Sequence, residues 1–98
     1  MNAVTAHLVE LMSEASGFDE QDIMGKGRQR PLPACRWMIG AVLVKRGYSS
    51  AIAAREIGLD HATLLYGRKA LRGMTRRGRW GIEIDIMEKF NTLLDREA

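Results

Sequence analysis

Residues 50–69 read SAIAAREIGLDHATLLYGRK, and no other stretch limits the fold as strongly. Two helices joined by a tight turn need a small residue midway along the first, where the second crosses, and a glycine at the turn. Ala54, with Ala53 beside it, meets the first need, and Gly58 meets the second. Ile57, Leu59 and Leu64 supply apolar contacts around the turn. Ser49 or Ser50 caps a short helix running through Ile57, and Asp60 caps the next, from about His61 to Arg72. Leu64 and Leu71 point inward on this second helix. The window predicts a helix-turn-helix.

The flanks read as helical too. Val4, Leu8, Leu11 and Met12 recur at helical spacing over Ala3–Ala15, and Gly17 ends that helix. Asp19 then stands as the N-cap of a short turn that directs Ile23 and Met24 inward. Residues 25–33, GKGRQRPLP, hold three cations, glycine and proline without an apolar period, and form a loop. Proline can open a helix but not sit inside one, so the next helix begins near Pro33. It spans Ala34–Arg46, with Trp37, Met38, Ala41, Val42 and Val44 on a broad apolar face, and Gly47 closes it. RGMTRRGRW, residues 72–80, reads as a basic linker or a frayed end. The last helix, Ile82–Arg96, sets Ile82, Ile86, Phe90 and Leu93 on one stripe with Met87 and Leu94 beside it. No strand emerges. The expected fold is an all-α domain of five to six helices. Residues 1–80 hold the helix-turn-helix, and residues 81–98 form an amphipathic helix that packs on it or mediates association.

A chain of 98 residues suits one domain with one modest core. Cys35 is the single cysteine, which excludes an intrachain disulfide and suits a reducing cytoplasm. It reads as a packing residue. The two histidines and this cysteine make no zinc pattern, and no metal or cofactor is expected. No secretory signal and no membrane-spanning run is expected either. Beyond Asp60, no second acid, base or nucleophile is placed near His61 in sequence, so no catalytic residues are assigned and the chain reads as a non-enzyme.

Charge points to a partner. Met1–Ile23 carries five acidic residues and no Lys or Arg. Met24–Trp80 carries thirteen basic residues against Glu56 and Asp60, a net +11. Gly81–Ala98 carries five acidic and two basic residues. A middle this unbalanced fits a polyanion. In a DNA-binding helix-turn-helix the second helix enters the major groove N-terminus first, so Asp60, His61, Ala62 and Thr63 lead. A carboxylate accepts from cytosine N4, a histidine bonds guanine or phosphate, and Ala and the Thr methyl touch the thymine methyl. Arg68, Lys69 and Arg72 suit phosphates, and Lys45 joins them as a backbone contact. The plainer alternatives are Asp60 as a cap alone, Thr63 bonded to its own helix, and Tyr66 in the core with a wet hydroxyl.

DIMGKGRQRPLPACRWMIGAVLVKRGYSS followed by AREIGLDHATLLYGRK resembles the C-terminal DNA-binding domain of DnaA, the bacterial replication initiator, a Trp-repressor-like helix-turn-helix. That family joins a basic Lys-x-Arg-x-Arg loop to a long helix opening at Arg, and then to an Ile-Gly turn and an Asp-His-x-Thr signature leading to Arg-Lys. Here these are Lys26, Arg28 and Arg30, then Arg36, then Ile57-Gly58, Asp60-His61, Thr63 and Arg68-Lys69. The resemblance spans about Val4 to Leu71. It implies that Arg28 reaches into the minor groove, that Asp60, His61 and Thr63 read major-groove base edges, and that Lys26, Arg30, Arg36, Arg68 and Lys69 contact or steer phosphates. Leu59 stands where the family has Arg before the Asp, and Ala62 replaces the first of its hydroxyl pair. One cation and one base contact are therefore missing. No P-loop of the Walker type is present, so the ATPase of an initiator is not expected.

The expected function is sequence-selective binding of double-stranded DNA by a cytoplasmic, nucleoid-associated transcriptional regulator of bacterial or phage type. The alternative is a protein-binding adaptor that reuses the fold to modulate replication initiation or transcription. In either case the C-terminal helix offers a surface for a homodimer or a protein partner.

Overall fold

A computed structural model describes residues 1–97; Ala98, the last residue of the expected C-terminal segment, lies outside them. Six helices follow one another with no strand among the described residues: α1 (Ala3–Ser16), α2 (Glu20–Met24), α3 (Leu32–Lys45), α4 (Ser50–Glu56), α5 (His61–Arg72) and α6 (Gly81–Asp95). The protein is all-α.

The helix α3 is the pole around which the others assemble. Leu32, Ala34, Cys35, Trp37, Met38, Ile39, Gly40 and Leu43 are all buried along it. A helix apolar all round has no solvent face, so it must be covered on every side. Each of the other five helices packs on it. Cys35 is fully buried, and burial pushes its thiol up to about 11. It is a packing residue with little thiolate at neutral pH.

The first helix starts at Asn2, whose side chain accepts from the Thr5 N–H at 2.8 Å, and stops at Gly17, which takes the left-handed conformation at φ +80°. Leu8, Leu11 and Met12 face inward as their spacing predicts, but Val4 is 38% exposed. Thr5 takes the inward place instead and donates its hydroxyl to Glu56 Oε1 at 2.7 Å. The Asn2 N–H donates to the same carboxylate oxygen at 2.8 Å. Glu56 ends α4, so these two bonds tie the start of α1 to the helix-turn-helix. Asp19 occupies the N-cap position of α2 but makes no side-chain cap bond; its carbonyl accepts from Asp22 and Ile23.

The last helix packs on α1 and α3. Ile86 and Phe90 are buried, but Ile82, expected in the same stripe, is 65% exposed. Glu83 and Ile84 turn inward instead. Glu83 forms an ion pair with Arg30, and this rotates the buried face by about a quarter turn away from Ile82. The C-terminal helix therefore shares the core with residues 1–80 through Ile86 and Phe90. His7 and Glu97 join α1 to the end of α6 at 2.6 Å, and the Glu97 carboxylate raises the His7 pKa.

Two glycines set the closest helix approach. A Cβ on Gly40 of α3 would lie 2.5 Å from Leu64 Cδ1 and 2.9 Å from Ile57 Cδ1. A Cβ on Gly67 of α5 would lie 2.2 Å from Trp37 Cγ. An indole wedged under a helix cannot shift like the tip of a flexible side chain, so Gly67→Ala is expected to destabilise the fold by about 1–3 kcal/mol. Urea unfolding of the variant measures this; an unchanged midpoint would show that α5 does not sit this close to α3.

Candidate nucleic-acid interface

The helix-turn-helix is assembled from short-range bonds. Ser49 accepts from the Ile52 N–H at 3.1 Å and opens α4. Ala53 and Ala54 are buried where α4 meets its neighbours. The turn closes through Leu59 N–H donating to the Ala54 carbonyl at 2.9 Å, with Gly58 at φ +73°, a conformation that glycine adopts without strain. Asp60 then caps α5: its Oδ1 accepts from the Thr63 N–H at 2.7 Å. Hydrogen bonds from Thr63 hold the Asp60 carboxyl below its ordinary range.

Leu64 and Gly67 form the buried row of α5. The opposite row is His61, Ala62, Leu65, Tyr66, Lys69 and Arg72, all exposed. Leu65 and Tyr66 remain 46% and 58% exposed, so neither stabilises the core to the full extent of its size. Tyr66, one of whose expected alternatives was a core position, lies on this outer surface. Asp60, His61 and Ala62 are exposed at the leading turn, and Thr63 is half-buried beside them. Arg68 is half-buried, with Nη1 3.4 Å from Ser50 Oγ.

The basic loop holds a different set of free cations from the expected one. Lys26 and Arg28 are exposed, and neither has an ion pair among the described residues. Arg36, expected at phosphates, is only 4% exposed. Its Nε donates to the Ile23 carbonyl at 2.7 Å, its Nη1 to Gly27 at 2.6 Å and its Nη2 to Asp22 at 3.0 Å. These three carbonyls lie at the end of α2 and the start of the loop. Arg36 is thus a fastener for the loop and cannot reach a phosphate.

Arg30 is also bonded to its own chain, although it stays exposed. Its Nε donates to Glu83 Oε2 at 2.9 Å and its Nη2 to Glu83 Oε1 at 2.9 Å and to the Arg79 carbonyl. With two of its three nitrogens occupied by internal acceptors, it holds the root of the loop. Glu83 is 1% exposed. Burial alone would raise its pKa, but the Arg30 bonds, aided by a backbone N–H, hold it below the ordinary value. Lys45 stands at the opposite end of α3 from this loop, about 20 Å along the helix. It lines a groove with Met87, Phe90 and Asp95 of α6.

The region between α5 and α6 is better ordered than its composition suggests. Trp80 lies under two guanidinium groups, with Arg79 Cζ 4.7 Å and Arg30 Cζ 5.6 Å from the ring centre. Its edge meets Trp37 at 6.4 Å between centroids, and Trp37 meets Tyr66 at 5.7 Å. Trp80, Arg79 and Glu83 went unassigned in the sequence. The adjacent Arg79-Trp80 pair and an acid on the inner half of an amphipathic helix were the available signals.

Known protein families, curated proteins and solved structures offer no match to this chain. The functional reading rests on the geometry above. Among the described residues no helix is long and apolar enough to cross a membrane.

Asp60 and Glu83 both have carboxyls held below their ordinary values. Their contribution to stability is therefore fully present above the unfolded-state pKa, about 4, and is lost as pH falls through the lower folded values. Thermal unfolding should show Glu83→Gln less stable than wild type at pH 7, with the gap closing as the solution is acidified through that range. A gap independent of pH would mean that the Glu83 charge is not what holds the loop. Asp60→Ala should lower the melting temperature by several degrees, while Asp60→Asn, which keeps a capping oxygen, should change it much less.

Proposed function

We propose that this protein binds double-stranded DNA with sequence selectivity, as a transcriptional regulator of bacterial or phage type. In this reading α5 lies in the major groove and loop 25–30 follows the backbone into the neighbouring minor groove. The observation that carries it is the outer row of α5. A helix anchored by a glycine-tight turn and an Asp cap leaves His61, Ala62, Leu65, Tyr66, Lys69 and Arg72 facing solvent. The leading residues suit base edges and the trailing ones suit phosphates.

Roles follow from chemistry. His61 donates to guanine, and Ala62 and Leu65 contact thymine methyl groups. Asp60 keeps one carboxylate oxygen beyond its cap bond for cytosine N4. Thr63 supports the leading turn with its hydroxyl and methyl. Lys69 and Arg72 hold the backbone, and Arg28 enters the minor groove, where a narrow A·T-rich stretch attracts a guanidinium. Lys26 adds a phosphate contact from the same loop. The resemblance to the DnaA C-terminal domain supports this division between helix and loop.

A second reading has its own observation. Ile52, Leu65 and Tyr66 are all large and exposed on α4 and α5, at 49%, 46% and 58%. An apolar set of this kind also suits a protein partner, for an adaptor acting on replication or transcription machinery.

Selection from a randomised duplex library at two salt concentrations separates the two. DNA reading predicts an enriched motif that survives the higher salt. Neutralising about six phosphates predicts an affinity loss of about a thousandfold between 50 and 200 mM salt. His61→Ala should relax discrimination at one base pair by about 1–3 kcal/mol, and Arg28→Ala should weaken sites with A·T-rich flanks more than others. Binding without any motif, or an equal loss on all sequences in His61→Ala, would sink the base-reading role and favour the adaptor.

A further inference from the structure

Residues 73–80 link the outer row of α5 to α6 and carry Arg76, Arg77 and Arg79. Arg76 is paired twice, through Nη1 with Asp85 at 2.8 Å and through Nη2 with Glu88 at 2.5 Å. Arg77 and Arg79 are exposed and make no ion pair among the described residues. The segment is nevertheless anchored. Its Arg79 carbonyl accepts from Arg30, and the Arg79 guanidinium lies over Trp80. Arg30 belongs to the basic loop, so the segment and the loop share one root. Through Trp80, Trp37 and Tyr66 the same row of contacts reaches the outer surface of α5. Three cation-bearing pieces of chain are thereby linked: the loop with Lys26 and Arg28, the segment with Arg77 and Arg79, and the helix with Lys69 and Arg72.

We infer that residues 73–80 are a second basic arm, whose Arg77 and Arg79 hold backbone phosphates of the same duplex that α5 reads. This rests on the DNA-binding reading and assigns to it a contact surface outside the helix-turn-helix and the first loop. The chemistry favours phosphate over a carboxylate partner, because Arg77 and Arg79 make no ion pair among the described residues, while the exposed carboxylates nearest the segment, Asp85 and Glu88, are engaged by Arg76. A guanidinium presents a planar fork that matches two phosphate oxygens. Anchoring at Trp80 and Arg30 restricts the arm before binding, so less freedom is lost on contact. Position agrees as well: in arm-and-helix readers the C-terminal end of the recognition helix lies against the backbone, and this segment continues from it.

The test is a salt titration of binding to the site selected from the random library. Wild type is compared with Arg77→Ala/Arg79→Ala, with Arg77→Lys/Arg79→Lys and with Arg76→Ala. Loss of two phosphate contacts makes the slope of log affinity against log salt shallower by about 2. The expected result is that shallower slope in the double alanine variant with the selected motif unchanged, a wild-type slope in the double lysine variant, and a wild-type slope in Arg76→Ala. A double alanine variant with the wild-type slope overturns the second arm alone. So does Arg76→Ala if it reduces the slope by about 1, since the effect would then follow any lost charge. Wild-type protein that binds no duplex even at low salt overturns both this inference and the function on which it rests.

Discussion

Leu32 to Leu43 is apolar nearly all the way round, and everything else is arranged by the need to cover it. A stripe on a surface helix asks for one partner; a helix without a polar face asks for a complete sheath. Here α1, α2 and α6 cover part of it, and α4 with α5 cover the rest. The helix-turn-helix is therefore not an appendage. Leu64 and Ile57 rest on Gly40, and Gly67 rests on Trp37, so the orientation of α5 is set by the same packing that closes the core. Fixing the buried row of α5 fixes which residues form its outer row. The site inherits its rigidity from the fold.

Polar groups inside the protein act as joints between segments remote in sequence. Arg36 gathers the carbonyls of Asp22, Ile23 and Gly27. Glu83 holds Arg30, and Glu56 holds Thr5 together with the Asn2 amide. Among the described residues no buried side-chain nitrogen or oxygen lacks a partner. Each joint sits where a loop or helix end would otherwise leave backbone groups or charges unsatisfied. This is why the basic loop has a defined course despite its glycines: two of its ends are held by guanidinium groups that its composition would assign to a ligand.

The helices were legible because their boundaries are chemical. Ser and Asp caps and Gly stops depend on local bonds that a few residues determine, so α4 and α5 appear where Ser49, Gly58 and Asp60 place them. The faces were less legible. Val4 and Ile82 are apolar at the right spacing yet face solvent, because Thr5 and Glu83 have partners elsewhere in the chain that spacing cannot reveal. The site shows the same division. Asp60, His61, Ala62, Lys69 and Arg72 are exposed on the expected surface because helical geometry alone puts them there. Arg30 lies in the basic loop and Arg36 in α3, and only the fold shows that both bond to their own chain. Gly40 and Gly67 look like weak points in helices; they prove to be the positions where two helices meet.

The packing of α1 against α6 has an electrical consequence. Most acidic residues of the chain lie in the N-terminal and C-terminal segments, and the fold brings the helices of those segments side by side. The +11 is carried by residues 24–80. The molecule is therefore a lopsided charge distribution with a moment, although its formal net charge is only +3. In the field of any polyanion such a body experiences a torque before contact, and the acidic pair of helices swings to the far side. Encounters begin already oriented, which raises the fraction that proceed to docking and makes that gain fade as added salt shortens the range of the field.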